Sequence, residues 1–361
     1  MKYRILLILS VKLITDASAQ EDYSIRTIAF YNVENLFDIK NDSLVRDDER
    51  TPDGNYNWTK ERYQKKVEHI AKVLAKVGQE TSKRVPDIIG LCEIENSQVL
   101  VDLVSHPHLR KYKYAFIHKD SPDERGIDVA LLYRTQTFLP TSIAFLPLWL
   151  FDDLGYRDYT RDQLVVSGIL EDMPLTLLVN HWPSRSGGEL RSEPFRIAAA
   201  KRSKRTIDSL RRASPNAKII SMGDFNDDPM DASLKKVLQT QGNRKNLDSI
   251  GLYNPFEKLY RKGVGSLAYR DQWNLFDQMI LTSSLLADQE NYFFWKAGVF
   301  KPSWLQTNEG RFKVYPFRTY VGTTYMGGYS DHFPVYLFLL KKQNQESRLP
   351  QPSAPRNSAK Y

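Results

Sequence analysis

Several short apolar segments of this 361-residue chain stop abruptly at acidic, amide or histidine side chains. Runs of four to eight residues that are rich in β-branched side chains are typical of buried strands. Four runs fit this description and are followed directly by polar groups: 28–31, 88–92, 175–179 and 218–222. The pattern predicts a sheet protein whose strands carry their chemistry at the strand ends.

Two further apolar runs carry polar residues at their start instead. Asp277 precedes residues 278–281, and the Ser-Asp-His segment 330–332 precedes residues 333–337. In a mixed or antiparallel sheet, the end of one strand lies beside the start of its neighbour. All six polar segments can therefore meet along one edge of the structure.

Spacing adds a prediction about side-chain direction at two of these strand ends. Asn32 and Glu34 are two residues apart, and so are Asp224 and Asn226. Side chains alternate along an extended backbone, so each pair is expected on one face.

Such a collection of carboxylates, amides and histidines is costly without a cation. A hard ion with oxygen ligands, Mg²⁺ or Mn²⁺, is the natural partner. The chain has a single cysteine, which falls in mid-strand, and its histidines lack the spacing of a zinc site, so zinc is disfavoured. The cysteine count also excludes a disulfide framework.

Taken together, these segments resemble the endonuclease/exonuclease/phosphatase superfamily, which includes DNase I-like and exonuclease III-like nucleases, inositol-phosphate phosphatases and neutral sphingomyelinases. The segments that carry the resemblance are YNVENLF (31–37), DIIGLCEIEN (87–96), GIDVALLYR (126–134), NHWPSR (180–185), GDFND (223–227), FDQMILT (276–282) and SDHFPV (330–335). The resemblance implies an α/β fold, a four-layer α/β/β/α sandwich of two mixed β-sheets.

The resemblance also implies roles for individual residues. Glu93 matches the principal metal ligand, although Glu95 could replace it in a shifted register. The other residues expected on the metal side are Asn32, Glu34 and Asp331. Those expected to act in catalysis are His181, Asp224, Asn226, Asp277 and His332, where Asp277 orients His332. Those expected to bind substrate are Asn32, Arg161, His181 and Asn226.

The implied function is a divalent-metal-dependent phosphodiester hydrolase, a nuclease acting by in-line attack of an activated water. The expected cofactor is Mg²⁺, with Mn²⁺ or Ca²⁺ as alternatives, and the partner is nucleic acid or another phosphate ester. A phosphatase or a sphingomyelinase-type lipid phosphodiesterase is the alternative, because one site serves all these reactions. A lipid enzyme would expose an apolar hairpin, and residues 146–151 (LPLWLF) could form one or be a buried strand. A catalytically inactive phosphate-binding module is a further alternative.

The two ends of the chain set the expected domain organisation. Residues 1–19 have basic residues, a short apolar run and an Ala-Ser-Ala cleavage signal, the pattern of a signal peptide, which predicts a secreted or periplasmic protein. Residues 342–361 have the composition of a disordered tail, which leaves 20–341 as one catalytic domain. No run is long enough for a stable membrane anchor, and a monomer is expected.

The net charge of +8 is weak support for nucleic-acid binding by the domain, because the two ends hold most of it. The basic segment 194–212 is interpreted as a solvated helix that covers a sheet, with a phosphate-backbone contact as the alternative. Four aromatic residues could stack on a base or headgroup, or pack in the interior: Trp182, Tyr269, Trp273 and Tyr325.

Overall fold

The computed structural model describes residues 23–152, 154–287 and 291–343. The predicted signal peptide, and the predicted tail from residue 344 onward, lie outside these residues. In chain order the strands are β1 (Tyr23–Leu36), β2 (Ile88–Ile94), β3 (Tyr114–His118), β4 (Asp128–Arg134), β5 (Phe138–Leu146), β6 (Leu150–Phe151), β7 (Arg157–Asp158), β8 (Gln163–Leu170), β9 (Met173–His181), β10 (Ile219–Asp224), β11 (Thr240–Gln241), β12 (Leu252–Tyr253), β13 (Leu267–Tyr269), β14 (Gln272–Asn274), β15 (Asp277–Thr282), β16 (Phe293–Val299), β17 (Tyr320–Val321), β18 (Thr324–Tyr325) and β19 (Val335–Lys342).

The helices are fewer and flank the strands. They are α1 (Lys60–Leu74), α2 (Gln79–Ser82), α3 (Ser97–Ser105), α4 (Glu189–Ala213), α5 (Phe256–Tyr260) and α6 (Ser284–Ala287). Thr59 caps α1 by accepting a hydrogen bond from the Arg62 backbone N–H, and Asn96 caps α3 in the same way. Both helices therefore begin where the sequence offers a side chain that satisfies their free N–H groups.

Two large mixed sheets form the body of the protein. The first has six strands in the order β16-β19-β1-β2-β4-β3, and the second has seven in the order β11-β12-β15-β10-β9-β8-β5. The central pair of each sheet is parallel, β1 with β2 and β9 with β10, and lies between antiparallel neighbours. At the edge of the second sheet the short strands β11 and β12 are also parallel. Mixed pairing brings strand ends and strand starts to the same edge, as the sequence predicts.

The sheets pack face to face around an apolar layer to which both contribute, for example Phe30 and Val335 from the first sheet and Val179 and Met222 from the second. Helices α1 and α3 cover the outer face of the first sheet, and α4 covers the outer face of the second. The predicted four-layer α/β/β/α sandwich is therefore confirmed.

Close contact between the sheets explains one glycine in mid-strand. A Cβ atom added at Gly90 in β2 would lie 2.6 Å from the Met222 sulfur in the opposite sheet. A side chain there would push the layers apart.

Among the described residues, no helix is both long and apolar enough to cross a bilayer. The basic segment 194–212 lies within α4, which covers the second sheet, as the preferred interpretation expects. Residues 146–151 end β5 and enter the short β6–β7 hairpin, where the Trp149 side chain is 58% exposed and that of Phe151 54%. Leu148 and Leu150 of the same segment are buried in the core beneath α4, so the segment combines the two structures considered for it.

Candidate active site

Strand register places three of the predicted site residues side by side in the second sheet. Asp224, the last residue of β10, pairs with His181 at the end of β9 and with Asp277 at the start of β15. All three side chains are buried. The row forms because β10 runs parallel to β9 and antiparallel to β15.

The first sheet contributes Asn32 from β1 and Glu93 from β2. The Asn32 side-chain amide donates hydrogen bonds to Glu93 Oε1 and to Asp224 Oδ2, both at 3.1 Å. Glu93 lies in a register irregularity of β2 and has a left-handed backbone, φ +63°. A non-glycine residue in this region is strained, and such strain is concentrated at functional sites. We call the carboxylates of Glu93, Asp224 and Asp277 the acidic cluster.

His332 comes from the segment before β19 and completes the site. Its Nδ1 atom donates to Asp277 Oδ2 at 2.6 Å, and its Nε2 atom lies 4.0 Å from Asp224 Oδ2. The Ser266 hydroxyl donates to the same Asp277 oxygen at 2.6 Å. Ser330 donates to the Asn32 backbone carbonyl at 2.7 Å and accepts from the His332 backbone N–H, so it fixes the loop against β1.

Electrostatics set the protonation of this group of side chains. Burial alone would lower the pKa of His332, but the Asp277 carboxylate, with help from Asp224, raises that pKa well above its ordinary value. Burial and the Asp277 charge raise the pKa of Asp224, and His332 opposes the rise. The site therefore combines an imidazolium with a carboxyl group that holds a proton more readily than usual.

His181 is the opposite case. Burial, followed by the positive charges of Arg161 and Arg125, lowers the pKa of His181 well below its ordinary value, so the ring is neutral at pH 7. Its Nε2 atom lies 3.8 Å from Asp224 Oδ2 and 3.9 Å from Glu93 Oε1. Its Nδ1 atom is buried without a hydrogen-bond partner among the described residues. The ring thus faces the acidic cluster as a neutral group.

The prediction that Asn32 and Glu34 share a face is wrong. Glu34 has φ +53°, so the backbone turns out of the extended form after Asn32. The Glu34 carboxylate accepts hydrogen bonds from the Thr319 and Tyr320 backbone N–H groups and lies 3.6 Å from Lys66 Nζ. The Glu34 backbone N–H donates to Asn32 Oδ1 at 3.0 Å, and the predicted place of the Glu34 carboxylate on the metal side stays a prediction.

The face predicted for Asp224 and Asn226 is wrong for the same reason. Strand β10 ends at Asp224, and Asn226 has φ +50°. Its backbone N–H donates to Asp224 Oδ1 at 2.9 Å, and its side-chain amide donates to the Trp182 carbonyl at 3.0 Å. Asn226 still lies beside Asp224, because the turn folds it back onto that residue.

Two further predicted residues have partners outside the acidic cluster. Arg161 donates to Asp123 Oδ2 and to the Trp182 carbonyl, both at 2.8 Å, and its side chain is buried. Asp331 is half-buried and lies 3.4 Å from Arg318 Nη2. The predicted phosphate contact of Arg161 and the metal role of Asp331 are therefore left as predictions.

Three residues that support the site do not figure in the sequence predictions. Ser266 has no motif to mark it, whereas Ser330 belongs to the Ser-Asp-His segment. Lys66 lies on the apolar side of α1 between Tyr63 and Ile70, and a lysine at such a position is a usable signal. Its ammonium group, 1% exposed, donates to the Thr319 hydroxyl at 2.6 Å and the Tyr329 carbonyl at 2.7 Å. It ties α1 to the segment that leads into His332.

The donor set of the site suits a hard divalent cation. The side-chain polar atoms of Asp224, Asp277 and His332 lie within 4.8 Å of one another, and Asn32 Nδ2 holds the Glu93 carboxylate beside them. Because His332 is charged and Asn32 presents its amide nitrogen, the available ligand atoms are carboxylate oxygens, above all those of Glu93 and Asp224. In the described part of the chain, no lysine or arginine lies within ion-pair distance of the acidic cluster. Oxygen-rich sites with uncompensated negative charge favour Mg²⁺ or Mn²⁺.

Comparison with known proteins agrees with this geometry. The sequence profile of the Endonuclease/Exonuclease/phosphatase family matches residues 27–341, nearly all of the folded body. No curated protein sequence matches the chain.

Solved structures that are similar in fold include three with 15–19% identity. TDP2 of D. rerio complexed with single strand DNA product has 15% identity and a TM-score of 0.52, over 88% of this chain and 99% of that one. An endonuclease/exonuclease/phosphatase family protein of Bacteroides thetaiotaomicron has 19% identity and a TM-score of 0.51, over 91% and 98%. The mannosyl-6-phosphatase Bt3783 of the same organism has 19% identity and a TM-score of 0.51, over 87% and 99%. At these identities the likeness shows a shared fold alone.

Proposed function

The chain belongs to the endonuclease/exonuclease/phosphatase family, and we propose that it is a divalent-metal-dependent phosphodiester hydrolase that acts as a nuclease. The observation that carries the proposal is the Asn32 amide, which joins Glu93 of one sheet to Asp224 of the other at 3.1 Å, beside the His332–Asp277 pair. Phosphodiester hydrolysis requires an aligned water, neutralised phosphoryl oxygens and a stabilised leaving group. These residues can contribute to all three requirements.

The proposed mechanism divides the work between two residues. Asp224 accepts a proton or a hydrogen bond from the attacking water, as a carboxyl group with a raised pKa is suited to do. His332, held by Asp277 and charged because its pKa is raised, donates from Nε2 to the oxygens of the phosphoryl group. Asn226 is fixed by Asp224 and the Trp182 carbonyl and helps to hold the water in line.

Glu93 and Asp224 are the side chains that would hold the divalent ion through carboxylate oxygens, and the Asn32 amide, which donates to both, positions them. A bound ion supplies Lewis-acid polarisation of the phosphoryl oxygen and stabilises the leaving oxygen. His181, neutral and facing Asp224 and Glu93, can donate or accept a hydrogen bond at the substrate without adding positive charge.

Two substrate classes have support. The TDP2 structure in complex with single strand DNA product favours a nucleic acid. A lipid phosphodiesterase is the second candidate, because the β6–β7 hairpin exposes Trp149, Phe151 and, between its strands, Leu154 at 81%. Export across a membrane, by the predicted signal peptide, belongs to the same proposal and rests on the sequence of residues 1–19.

The test is a substrate panel with a matched pair of variants. Single-stranded DNA, duplex DNA, RNA, sphingomyelin, inositol phosphates and mannose 6-phosphate are each incubated with Mg²⁺, Mn²⁺ or Ca²⁺, and with EDTA. We expect cleavage of DNA or RNA that EDTA stops, and a loss of about 10²-fold or more in His332→Ala at an unchanged circular dichroism spectrum. His108→Ala, a change at an exposed histidine, is the control. Near-normal turnover in His332→Ala would contradict the proposed site, and hydrolysis of none of the substrates would favour an inactive binding module.

A further inference from the structure

A cavity of about 280 Å³, which the mechanism above does not use, contacts the segment 331–333 that carries His332. Three segments form its walls: the β13–β14 hairpin, the loop 307–318 and the β17–β18 hairpin with the residues after it. The volume is just below the range of about 300–1,000 Å³ that is usual for small-molecule sites, so it suits one planar group.

The cavity is joined to the active site by three contacts. Arg318 in its wall lies 3.4 Å from Asp331, the neighbour of His332. The Trp273 ring stacks on Phe333, the residue after His332, at 6.2 Å, and meets the Tyr315 ring of the wall edge-on at 5.5 Å. A substrate whose reacting phosphate lies at His332 can therefore extend a neighbouring group toward the cavity.

Aromatic and cationic side chains line the cavity together. Tyr269 is 62% exposed and Phe312 39% exposed, and an arginine lies over each ring: Arg270 is 5.2 Å from the Tyr269 ring and Arg311 is 5.8 Å from the Phe312 ring. Rings and guanidinium groups therefore present one mixed surface to a ligand. Arg270 and Arg311 are exposed beside them, and the single carboxylate of the lining is Asp271, 3.9 Å from Arg311. Exposed ion pairs of this kind are weak, so both arginines can turn to an anion.

Both main walls hold residues in strained backbone conformations. Arg270 and Asp271 form the two-residue turn between β13 and β14 with φ values of +49° and +64°. Glycine or asparagine is usual in such a turn. Val314 in the opposite wall has φ +69°, which is a genuine outlier for a β-branched residue. Residues held in this way are concentrated at ligand clamps and active sites.

We infer that this cavity binds an unpaired nucleobase of the substrate strand, next to the phosphodiester that is cleaved. Stacking on Tyr269 and Phe312 holds the base, and Arg270 and Arg311 contact the adjoining phosphate. Aromatic platforms combined with basic side chains are the means by which proteins hold single-stranded nucleic acids. A lipid chain would leave the arginines without a role, and a sugar phosphate would leave most of the aromatic surface uncovered. The inference rests on the proposed function and narrows its substrate to single strands.

The experiment separates base binding from cleavage. A single-stranded DNA oligonucleotide, and a series in which one abasic site is moved along it, are assayed for binding by fluorescence anisotropy in His332→Ala and for cleavage in the active protein. One abasic position should weaken both by roughly tenfold, the effect expected for loss of one stacked base. Tyr269→Ala should weaken binding of the intact strand by a similar factor, and should have little further effect on that abasic strand. Tyr156→Ala, at an exposed tyrosine outside the cavity, is the control and should change neither.

The possible results distinguish failure of the base-binding inference from failure of the proposed nuclease activity. Equal binding and cleavage of every abasic strand, or an equal loss from Tyr269→Ala on intact and abasic strands, would overturn the base-binding inference while leaving the nuclease in place. Loss from Tyr156→Ala as large as that from Tyr269→Ala would also overturn it. Base-dependent binding that is sensitive to Tyr269→Ala but comes without cleavage would support the cavity and overturn the proposed nuclease.

Discussion

The end of β10 and the segment that follows it contribute carboxylates to two clusters that are built differently. Asp224 belongs to the acidic cluster, whose ion-pair partners among the described residues are histidines. Asp227 and Asp228, three and four residues later, belong with Asp231 to a cluster that is paired with Arg185 and Arg196. We call this second group the arginine-paired cluster.

The contacts of the arginine-paired cluster are those of a structural element. Arg196, 1% exposed, places Nε 2.5 Å from Asp227 Oδ1, and the Ser233 hydroxyl donates to the other Asp227 oxygen at 2.6 Å. Arg185 Nη2 lies 2.7 Å from Asp231 Oδ2. Because guanidinium groups already neutralise these acids, little charge is left for a metal or for catalysis. The difference between the clusters teaches that buried acids without arginine or lysine partners are the ones available for function.

The largest expected effect is a loss of activity from a substitution in the acidic cluster. Asp224→Asn keeps the shape of the side chain but removes its ability to take a proton, so kcat should fall by about 10²–10⁴-fold. The midpoint of thermal unfolding should not fall, because the change removes a buried carboxyl group whose pKa burial has raised. Steady-state kinetics and calorimetry on the same preparation measure both. Activity within tenfold of the wild type would place Asp224 outside the reaction.

In the arginine-paired cluster we expect a substitution to reduce stability and to leave activity unchanged. Arg196→Met removes the cation that pairs with buried Asp227, so the free energy of unfolding should fall by about 3–5 kcal/mol. Specific activity of the molecules that stay folded should remain near normal. Arg205→Met, at an exposed arginine on the same helix, is the control and should change stability by about 0.5 kcal/mol or less. A large loss of kcat in folded Arg196→Met would show that the two clusters are not separate in function.

Metal binding offers a third way to separate the clusters. Mg²⁺ at about 100 times its dissociation constant should stabilise the wild type by about 2.7 kcal/mol, since it binds the folded state. Glu93→Gln should lose most of this gain, and Asp231→Asn should keep it. Denaturant unfolding with and without Mg²⁺ measures the difference. The opposite ranking of the two variants would assign the ion to the arginine-paired cluster.

The sequence predicts the fold and the position of the site because both depend on patterns that persist through folding. Apolar runs that end in Asp224, His181 and Glu93 predict buried strands with polar ends. Register brings Asp224 and His181 together within the second sheet, and the packing of the two sheets adds Glu93. The family resemblance supplies the four-layer architecture, which the two sheets and their flanking helices confirm.

What the sequence does not predict depends on local backbone geometry and on distant pairing. Glu34 leaves the face of Asn32 because one residue adopts a left-handed conformation, which period-two reasoning does not include. The ion pair of Arg196 with Asp227 joins residues 31 apart in the chain, and the sequence alone does not show which arginine meets which acid. The hydrogen bond from Ser266 to Asp277 spans the β13–β14 hairpin, and the sequence does not show that the hairpin brings these two residues together.

The smallest expected effect concerns Asp228, the member of the arginine-paired cluster with the weakest pairing. Its nearest guanidinium atom, Arg185 Nη2, lies 3.9 Å away, and its Oδ1 accepts from the Leu275 backbone N–H at 2.6 Å. Burial raises the pKa of Asp228 from 3.8 to about 7, although this hydrogen bond and Arg185 oppose the rise. Asp228 is therefore intermediate between the two clusters.

The folded state holds the Asp228 proton more tightly than the unfolded state, so the stabilisation is complete below about pH 4 and is lost as the pH rises through 7. Asp228→Asn keeps an oxygen for the Leu275 N–H and has no proton to lose. Relative to the wild type, the variant should therefore gain about 2 kcal/mol in free energy of unfolding between pH 5 and pH 8. Urea unfolding of both proteins across this range measures the gain, with Asp53→Asn, at an exposed aspartate, as the control. If the difference in free energy of unfolding between Asp228→Asn and the wild type does not change with pH, Arg185 neutralises Asp228 fully. Asp228 would then belong wholly to the arginine-paired cluster, and the boundary between the clusters would lie at Asn226.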